Sequence, residues 1–148
     1  MSDQNTREIH WSFWAIGVVG LLFNLMGCAN FLSQMNSETV ASMPEAYRAI
    51  VESRPAWATG AFAIAVSGGA LGGILLLLRK SAAYYAFIAS LGGAVGAQIP
   101  FFGMEGFPSE AMAGWVSQLV VGSFLVWYAK YAERKSWIRV SVDQGFGE

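Results

Sequence analysis

Four long stretches of apolar residues constrain this chain more than any other feature of its sequence. A helix needs about 20 residues to cross a hydrocarbon core of ~30 Å, and each stretch is about that long. The only charged side chain in them is Lys130, which lies next to an end and can extend to the lipid headgroups. Because lipid offers no hydrogen-bond partner to an open backbone, each stretch should be helical. The predicted spans are residues 11–32, 56–78, 82–102 and 111–131.

Composition agrees with a membrane location and excludes several classes of protein. Of the 148 residues, 55% are hydrophobic and only 13% are charged, which is about half the charged share of a soluble domain. A net charge of −1 gives no basic surface for phosphates, which excludes a nucleic-acid-binding protein. One cysteine and one histidine cannot form a zinc site or a bis-histidine haem site. We expect an all-α, four-transmembrane-helix bundle, a single membrane domain over residues 1–148, with no metal and no cofactor.

The segments outside the spans predict one surface helix and a polar tail. Residues 33–55 form the longest connection, and Ser42-Met43-Pro44-Glu45 resembles a capping box that opens a short amphipathic helix through Glu52. The apolar side of this helix would lie on the membrane surface or cap the bundle. Its residues are Met43, Tyr47, Ile50 and Val51. A polar tail covers residues 132–148, where Ile138, Val140 and Val142 alternate like a short strand.

The distribution of lysine and arginine predicts the orientation of the chain. In a four-span topology seven basic residues fall on the side of the termini, and two, Arg48 and Arg54, fall on the other side. Since basic loops are retained on the cytoplasmic side, both termini are expected in the cytoplasm. The seven residues are Arg7, Arg79, Lys80, Lys130, Arg134, Lys135 and Arg139.

A cleaved lipoprotein signal is an alternative interpretation of the first span. Leu25-Met26-Gly27-Cys28 resembles a bacterial lipobox, and an arginine precedes the apolar run. However, Asn24 interrupts that run just before the box, and methionine is unusual at its position in such a box. We favour Cys28 as a small packing residue in an uncleaved first span.

Glycines inside the spans predict how the helices pack. Apolar helices gain little from the hydrophobic effect in lipid, so close backbone approach at small residues supplies the attraction between them. We expect the second and third spans to pack against each other, glycine face to glycine face. A remaining glycine face could instead bind an oligomer or a membrane-protein partner. The GxxxG pairs are Gly68 with Gly72, Gly69 with Gly73, and Gly92 with Gly96.

The strongest polar side chains of the spans form the only candidate ligand site. At ~1.5 Å per residue, Asn24 and Gln118 lie about 20 Å from the cytoplasmic ends of their helices, and Gln98 lies about 24 Å along the third span. Asn30 lies farther out in the first span. Because amides are costly in hydrocarbon without partners, these side chains should point inward and meet. They could form hydrogen bonds between helices, or they could line a periplasm-facing vestibule for neutral, hydroxyl-bearing solutes.

Catalytic chemistry is not expected in this chain. The spans contain no paired carboxylates, no Ser/His/Asp set and no charge of the kind that ion-coupled carriers place inside the membrane. His10 lies at the cytoplasmic edge, and Glu105 and Glu110 flank the outer turn, where water should solvate them. The chain is therefore not expected to be an enzyme.

Residues 11–102 contain a combination of short sequences that carries a family resemblance. The sequences are Trp14, Asn24, Gly27-Cys28, Met43-Pro44-Glu45, Pro55-Ala56-Trp57-Ala58, and a glycine-rich helix that ends in Leu75-Leu76-Leu77-Leu78-Arg79. This combination resembles a group of uncharacterised four-span inner-membrane proteins of proteobacteria, often automatically named "sugar transporter". The resemblance implies four helices in a bacterial inner membrane, and it supplies no binding motif that transfers residue by residue.

Two functions are compatible with these observations. The first is an accessory or structural subunit that packs against a partner through its glycine-rich helices. The second is an oligomeric facilitative transporter of a neutral polar, sugar-like solute. The small size and the charge-free interior favour the first function. Carriers usually contain repeats and broken helices, and Pro100 is the only hint of a broken helix in this sequence.

Overall fold

The computed structural model describes residues 9–138, which form four long helices and two short ones. Each long segment is long and apolar enough to cross a membrane. The predicted all-α, four-span fold is therefore confirmed, and the chain is a small integral membrane protein. The helices are α1 (Trp11–Gln34), α2 (Ser37–Ala41), α3 (Glu45–Ser53), α4 (Ala56–Leu77), α5 (Ala82–Gln98), which a 3-10 turn (Ile99–Phe101) extends, and α6 (Ser109–Arg134).

The helices differ from the predicted spans mainly at their ends. Apolar composition shows where hydrocarbon begins, whereas backbone hydrogen bonding decides where a helix stops. α1 and α6 therefore continue into polar residues, to Gln34 and Arg134. In contrast, α5 ends at Gln98 and tightens into the 3-10 turn, because Pro100 has no N–H group to continue the helical ladder.

The amphipathic helix in the long connection is present as α3, but the capping box predicted for it is wrong. Ser42 ends α2 instead, and its hydroxyl donates to the Thr39 carbonyl (2.7 Å). α3 begins at Glu45 without a side-chain cap. The short helix α2 is not predicted from the sequence, and Asn36 caps its N-terminus with a side-chain oxygen that accepts from two backbone N–H groups.

The packed core lies at one end of the bundle, where α1 and α5 begin and α4 and α6 end. We call this the core end and the opposite end, which holds α2 and α3, the α3 end. The segment after α6 closes the core end, because Arg79 Nε donates to the Trp137 carbonyl (2.6 Å). Ile138 of the predicted strand is buried there, and Val140 and Val142 lie outside the described residues. The buried core consists of Phe13, Leu76, Ala83, Phe87, Leu125, Tyr128, Ala129, Ala132 and Ile138.

The four long helices do not surround a uniform centre. α4 packs along both α5 and α1, and α6 packs along α5, whereas α1 and α6 touch each other much less. Their contacts lie toward the core end, where the rings of Phe13 and Tyr128 are 6.4 Å apart and the Leu125 side chain fills the space above Gly20. Toward the α3 end the two helices are separated by a cavity. The bundle is therefore wedge-shaped.

The closest backbone approach joins α4 to α5 at Gly93. A Cβ atom on Gly93 would lie 2.6 Å from the Ala61 carbonyl oxygen and 2.8 Å from the Ala65 nitrogen, so no larger residue fits. The spans that were predicted to pack together do so, but not glycine to glycine. Small residues of one helix face the backbone or larger side chains of the other.

The four predicted glycines of α4 pack against two different helices. Gly68 and Gly72 face α5, where a Cβ would meet Ser90 and the Phe87 ring. Gly69 and Gly73 face mainly α1, where a Cβ would meet the Asn24 side chain and the backbone of Leu21. Adjacent helical residues are rotated by about 100°, so two overlapping GxxxG pairs present two faces rather than one groove.

The glycines predicted on α5 pack less closely than expected. A Cβ on Gly92 would meet no atom within 4 Å, and a Cβ on Gly96 would make only an ordinary contact with Ala61 Cβ (3.5 Å). Gly92 is exposed on the outer face of the helix. The close-packing position of α5 is therefore Gly93, one residue later than predicted.

We expect Gly93→Ala to destabilise the bundle by about 1–3 kcal/mol, because its methyl group would overlap backbone atoms that cannot move independently. Gly92→Ala is the matched control, since Gly92 is the neighbouring residue and a methyl group added there would meet open space. Thermal unfolding of both variants in detergent would measure the difference. Equal melting temperatures for Gly93→Ala and the parent would contradict the close approach.

Candidate functional site

A cavity of about 620 Å³ occupies the α3 end of the bundle. Such a volume is within the usual range of small-molecule sites, roughly 300–1,000 Å³. α1 and α6 form two of its sides, while α4 and α5 contribute the wall between them. The apolar side of α3 covers the cavity, since Met43, Tyr47, Ile50 and Val51 all line it. Of the two positions expected for this helix, the structure therefore shows the one in which it caps the bundle.

All four residues predicted as substrate-binding line this cavity: Asn24, Asn30, Gln98 and Gln118. They come from three helices, and the fold brings them to one space. Asn24 and Gln118 also line a second cavity of about 10 Å³, which reaches residues of the packed core. These two amides therefore lie at the floor of the larger cavity, between polar space and the core.

The amides at the floor are not bonded to one another. The Asn24 side chain donates to the Gly20 carbonyl one turn earlier in the same helix (2.8 Å). Within residues 9–138, no hydrogen bond joins Asn24 to Gln98 or Gln118, or those two to each other. The direct bonds between helices that were one of the two interpretations are not formed among these three amides. All three residues line the cavity, while the Asn24 side-chain oxygen lies against Gly69 of α4.

Asn24 is held against α4 by the absence of a side chain at Gly69. The Asn24 side-chain oxygen occupies the space that a Cβ on Gly69 would need. Ser90 of α5 lies on the other side of the same point, and its hydroxyl donates to the Ala65 carbonyl. Three helices thus meet around Gly69, which fixes the position of the cavity floor.

Arg54 is a prominent residue of the cavity that the sequence did not identify as part of a site. It lies between α3 and α4, and its Nη1 donates to Gln34 Oε1 (2.7 Å), while Gln34 donates to Asn30 Oδ1 (3.1 Å). Its guanidinium lies over the rings of Phe62 (5.1 Å) and Phe101 (5.9 Å). Burial lowers the pKa of Arg54 below its ordinary value, although a guanidinium remains charged at neutral pH.

The Arg54 cation forms no ion pair in the described part of the chain. No carboxylate oxygen of residues 9–138 lies within 4 Å of it, and its buried Nε atom has no hydrogen-bond partner. A buried donor left unbonded costs about 1–3 kcal/mol. From the sequence Arg54 is only one of two basic residues in an outer loop, and that pattern gives no sign of the cavity.

Trp115 supplies a second donor without a partner in the same cavity. Its Nε1 atom is buried and makes no hydrogen bond within residues 9–138. The indole ring stacks on Phe107 with 5.5 Å between ring centroids. Glu110, five residues earlier on α6, also lines the cavity, and its side chain is exposed as expected from the sequence.

Neither a metal site nor a similar protein identifies the ligand. Within residues 9–138, no group of three or more His, Cys, Asp or Glu side chains is arranged to hold a metal ion. Cys28 is partly buried and donates its thiol to the Val66 carbonyl (3.4 Å). Comparisons of the chain with protein-family models, with curated proteins and with solved structures found no match.

The contact between Asn24 and Gly69 predicts a measurable coupling. Gly69→Ala should destabilise the parent, because the new methyl group displaces the Asn24 side chain. The same substitution should cost much less in an Asn24→Ala background, with a coupling of about 0.5–3 kcal/mol. Unfolding in mixed detergent micelles would measure the stability of the parent, the two single variants and the double variant. Gly60→Ala is the control at an open position. An equal cost of Gly69→Ala in both backgrounds would show that Asn24 does not rest on Gly69.

Proposed function

We propose that this protein is a solute-binding protein of a bacterial inner membrane and acts as a facilitative transporter of a small, hydroxyl-bearing solute. The observation that carries the proposal is the cavity at the α3 end, which is lined by amide-bearing residues from three helices. Residues of four apolar helices line this partly open cavity in a chain of only 148 residues. The resemblance to four-span proteins automatically named as sugar transporters supports the same class of solute.

The chemistry of the cavity suits hydroxyl groups. A primary amide has both donors and acceptors, so one side chain can bond two neighbouring hydroxyls of a sugar or polyol. Asn24 and Gln118 would bind such a solute at the floor, and Gln98 would bind it from the wall. The rings of Phe62 and Trp115 also line the cavity and offer apolar faces to the carbon skeleton.

The charge distribution supports a cavity that opens to the periplasm. Arg79 and Lys80 lie in the turn at the core end, where α6 also ends in a basic segment that contains Lys130, Arg134 and Lys135. Arg48 and Arg54 lie at the α3 end, while Arg7 and Arg139 lie outside the described residues. With the core end in the cytoplasm, transport would require the contacts between α1 and α6 at that end to separate.

A second candidate function is that of an accessory subunit bound to another membrane protein. The predicted glycines of α4 pack against α1 and α5 inside the bundle, so they do not support this function: Gly68, Gly69, Gly72 and Gly73. Gly92 does support it, because it is exposed on the outer face of α5 with open space around it. A stoichiometric partner retained in mild detergent would favour this function, and a homo-oligomer alone would favour transport.

Gln98→Leu is expected to abolish solute binding while the fold is kept, because it removes an amide from the cavity wall without adding bulk. Binding to purified protein in lipid nanodiscs would be measured by calorimetry with a panel of neutral monosaccharides and polyols. Ser67→Leu is the control, since Ser67 is exposed on α4, bonds within its own helix and does not line the cavity. Unchanged affinity in Gln98→Leu, or no saturable binding by the parent, would contradict the proposal.

A further inference from the structure

Arg54 adds to the cavity a charge that a neutral solute would leave unpaired. Its guanidinium has five N–H donors, and the only hydrogen bond that it makes within residues 9–138 is the one to Gln34. Arg54 is partly buried and forms no ion pair within these residues, and partial burial of an unpaired cation is unfavourable. The contacts with two aromatic rings and one amide hold the group in place, but they supply no negative charge.

We propose that the ligand of this cavity carries an oxyanion beside its hydroxyl groups, and that Arg54 binds this oxyanion. A carboxylate or a phosphate presents two oxygens that match the planar fork of a guanidinium. This inference rests on the proposed function, because it specifies the chemistry of the ligand in the same cavity. The amides would bind the hydroxyls, and Arg54 would bind the charged group.

Trp115 lines the same cavity and supports the same ligand. Its indole N–H is a donor without an acceptor in the described residues, and it lines the same space as Arg54. A ligand rich in acceptor oxygens would pair with the Arg54 guanidinium, and it would satisfy the indole N–H where the ring turns that buried atom to the cavity. Among the described residues, Glu110 is the one carboxylate that lines the cavity, and its exposure to water and salt weakens its repulsion of an anion.

The oxyanion could belong to a soluble solute or to a lipid headgroup. A sugar acid and a sugar phosphate carry the charge on a soluble polyol, whereas phosphatidylglycerol carries a phosphate beside two hydroxyls at the membrane surface. The separation of α1 from α6 toward the α3 end allows access from either phase. Both kinds of ligand present an oxyanion beside hydroxyl groups, and the experiments below distinguish a soluble solute from a lipid.

The experiment compares charged and neutral probes on the full chain. Purified protein in phosphatidylcholine nanodiscs would be titrated with gluconate, glucose 6-phosphate and glucose. We expect the parent to bind at least one charged probe about tenfold more tightly than glucose. Arg54→Gln should lose that preference, roughly tenfold or more in affinity, because a hydrogen bond to a charged group is worth ~1.5–3 kcal/mol. Affinity for glucose should stay unchanged.

Arg48→Gln is the matched control. Arg48 is the other outer arginine, and its Nε is also buried without a partner, but it does not line the cavity. This variant should keep the preference for charged probes. If Arg54→Gln does not fold, Trp115→Phe is the second variant, because it keeps an aromatic ring and removes the N–H donor. It should lower the affinity for charged probes roughly threefold or more.

A separate experiment tests whether the oxyanion belongs to a lipid. Native mass spectrometry would follow phosphatidylglycerol retained by the parent, by Arg54→Gln and by Arg48→Gln. Retention that only Arg54→Gln loses, with no binding of the soluble probes, would support the oxyanion and assign it to a lipid. That outcome would also contradict the proposed transport of a soluble solute, so the two proposals can fail separately.

Three results would overturn the inference. The first is a parent that binds glucose as tightly as both charged probes and retains no phosphatidylglycerol. The second is an Arg54→Gln variant that loses affinity for neutral and charged probes equally. That result would mean that Arg54 only stabilises the packing of the surrounding helices. The third is a parent that binds neither the soluble probes nor phosphatidylglycerol, which would contradict the proposed function as well.

Discussion

Backbone contact between α4 and its two neighbours is the interaction on which the rest of this bundle depends. In hydrocarbon, apolar side chains gain little by packing on each other rather than on lipid, so helices associate where their backbones come close. Gly93 brings α5 against Ala61 and Ala65, while Gly69 and Gly73 bring α1 against another face of the same helix. α1 and α6 are therefore held apart, on different neighbours, instead of being packed along each other.

The cavity is a consequence of that arrangement together with the placement of polar residues. At the core end, Phe13, Leu125 and Tyr128 are large enough to fill the space between α1 and α6. Toward the α3 end the facing side chains include Asn24 and Gln118, which cannot form a dry apolar core without cost. The helix α3 then covers this space with its apolar side. One end of the bundle is packed, and the other holds a partly open cavity whose mainly apolar lining includes the four amide residues.

Much of this architecture is predictable from sequence, because it depends on long-range composition. The four spans and the amphipathic helix follow from apolar runs, and depth along each helix places Asn24, Asn30, Gln98 and Gln118 in the same half of the bundle. The details that depend on a single rotation or turn are less accessible. GxxxG spacing does not show which neighbour each glycine faces, and the choice of Gly93 over Gly92 depends on the rotation of α5 about its axis. Arg54 depends on a loop path that periodicity does not encode.

The most direct test of the central claim is whether the cavity is open to water. Gln118→Cys would be placed in a Cys28→Ser background, with Val120→Cys on the exposed face of α6 and Leu125→Cys in the core as controls. A membrane-impermeant maleimide should label Gln118→Cys and leave both controls unreactive, because a thiolate does not form in hydrocarbon or in a packed core. Labelling of Gln118→Cys in intact cells would also support the periplasmic orientation. A Gln118→Cys variant as unreactive in nanodiscs as Val120→Cys would contradict a water-filled cavity between α1 and α6.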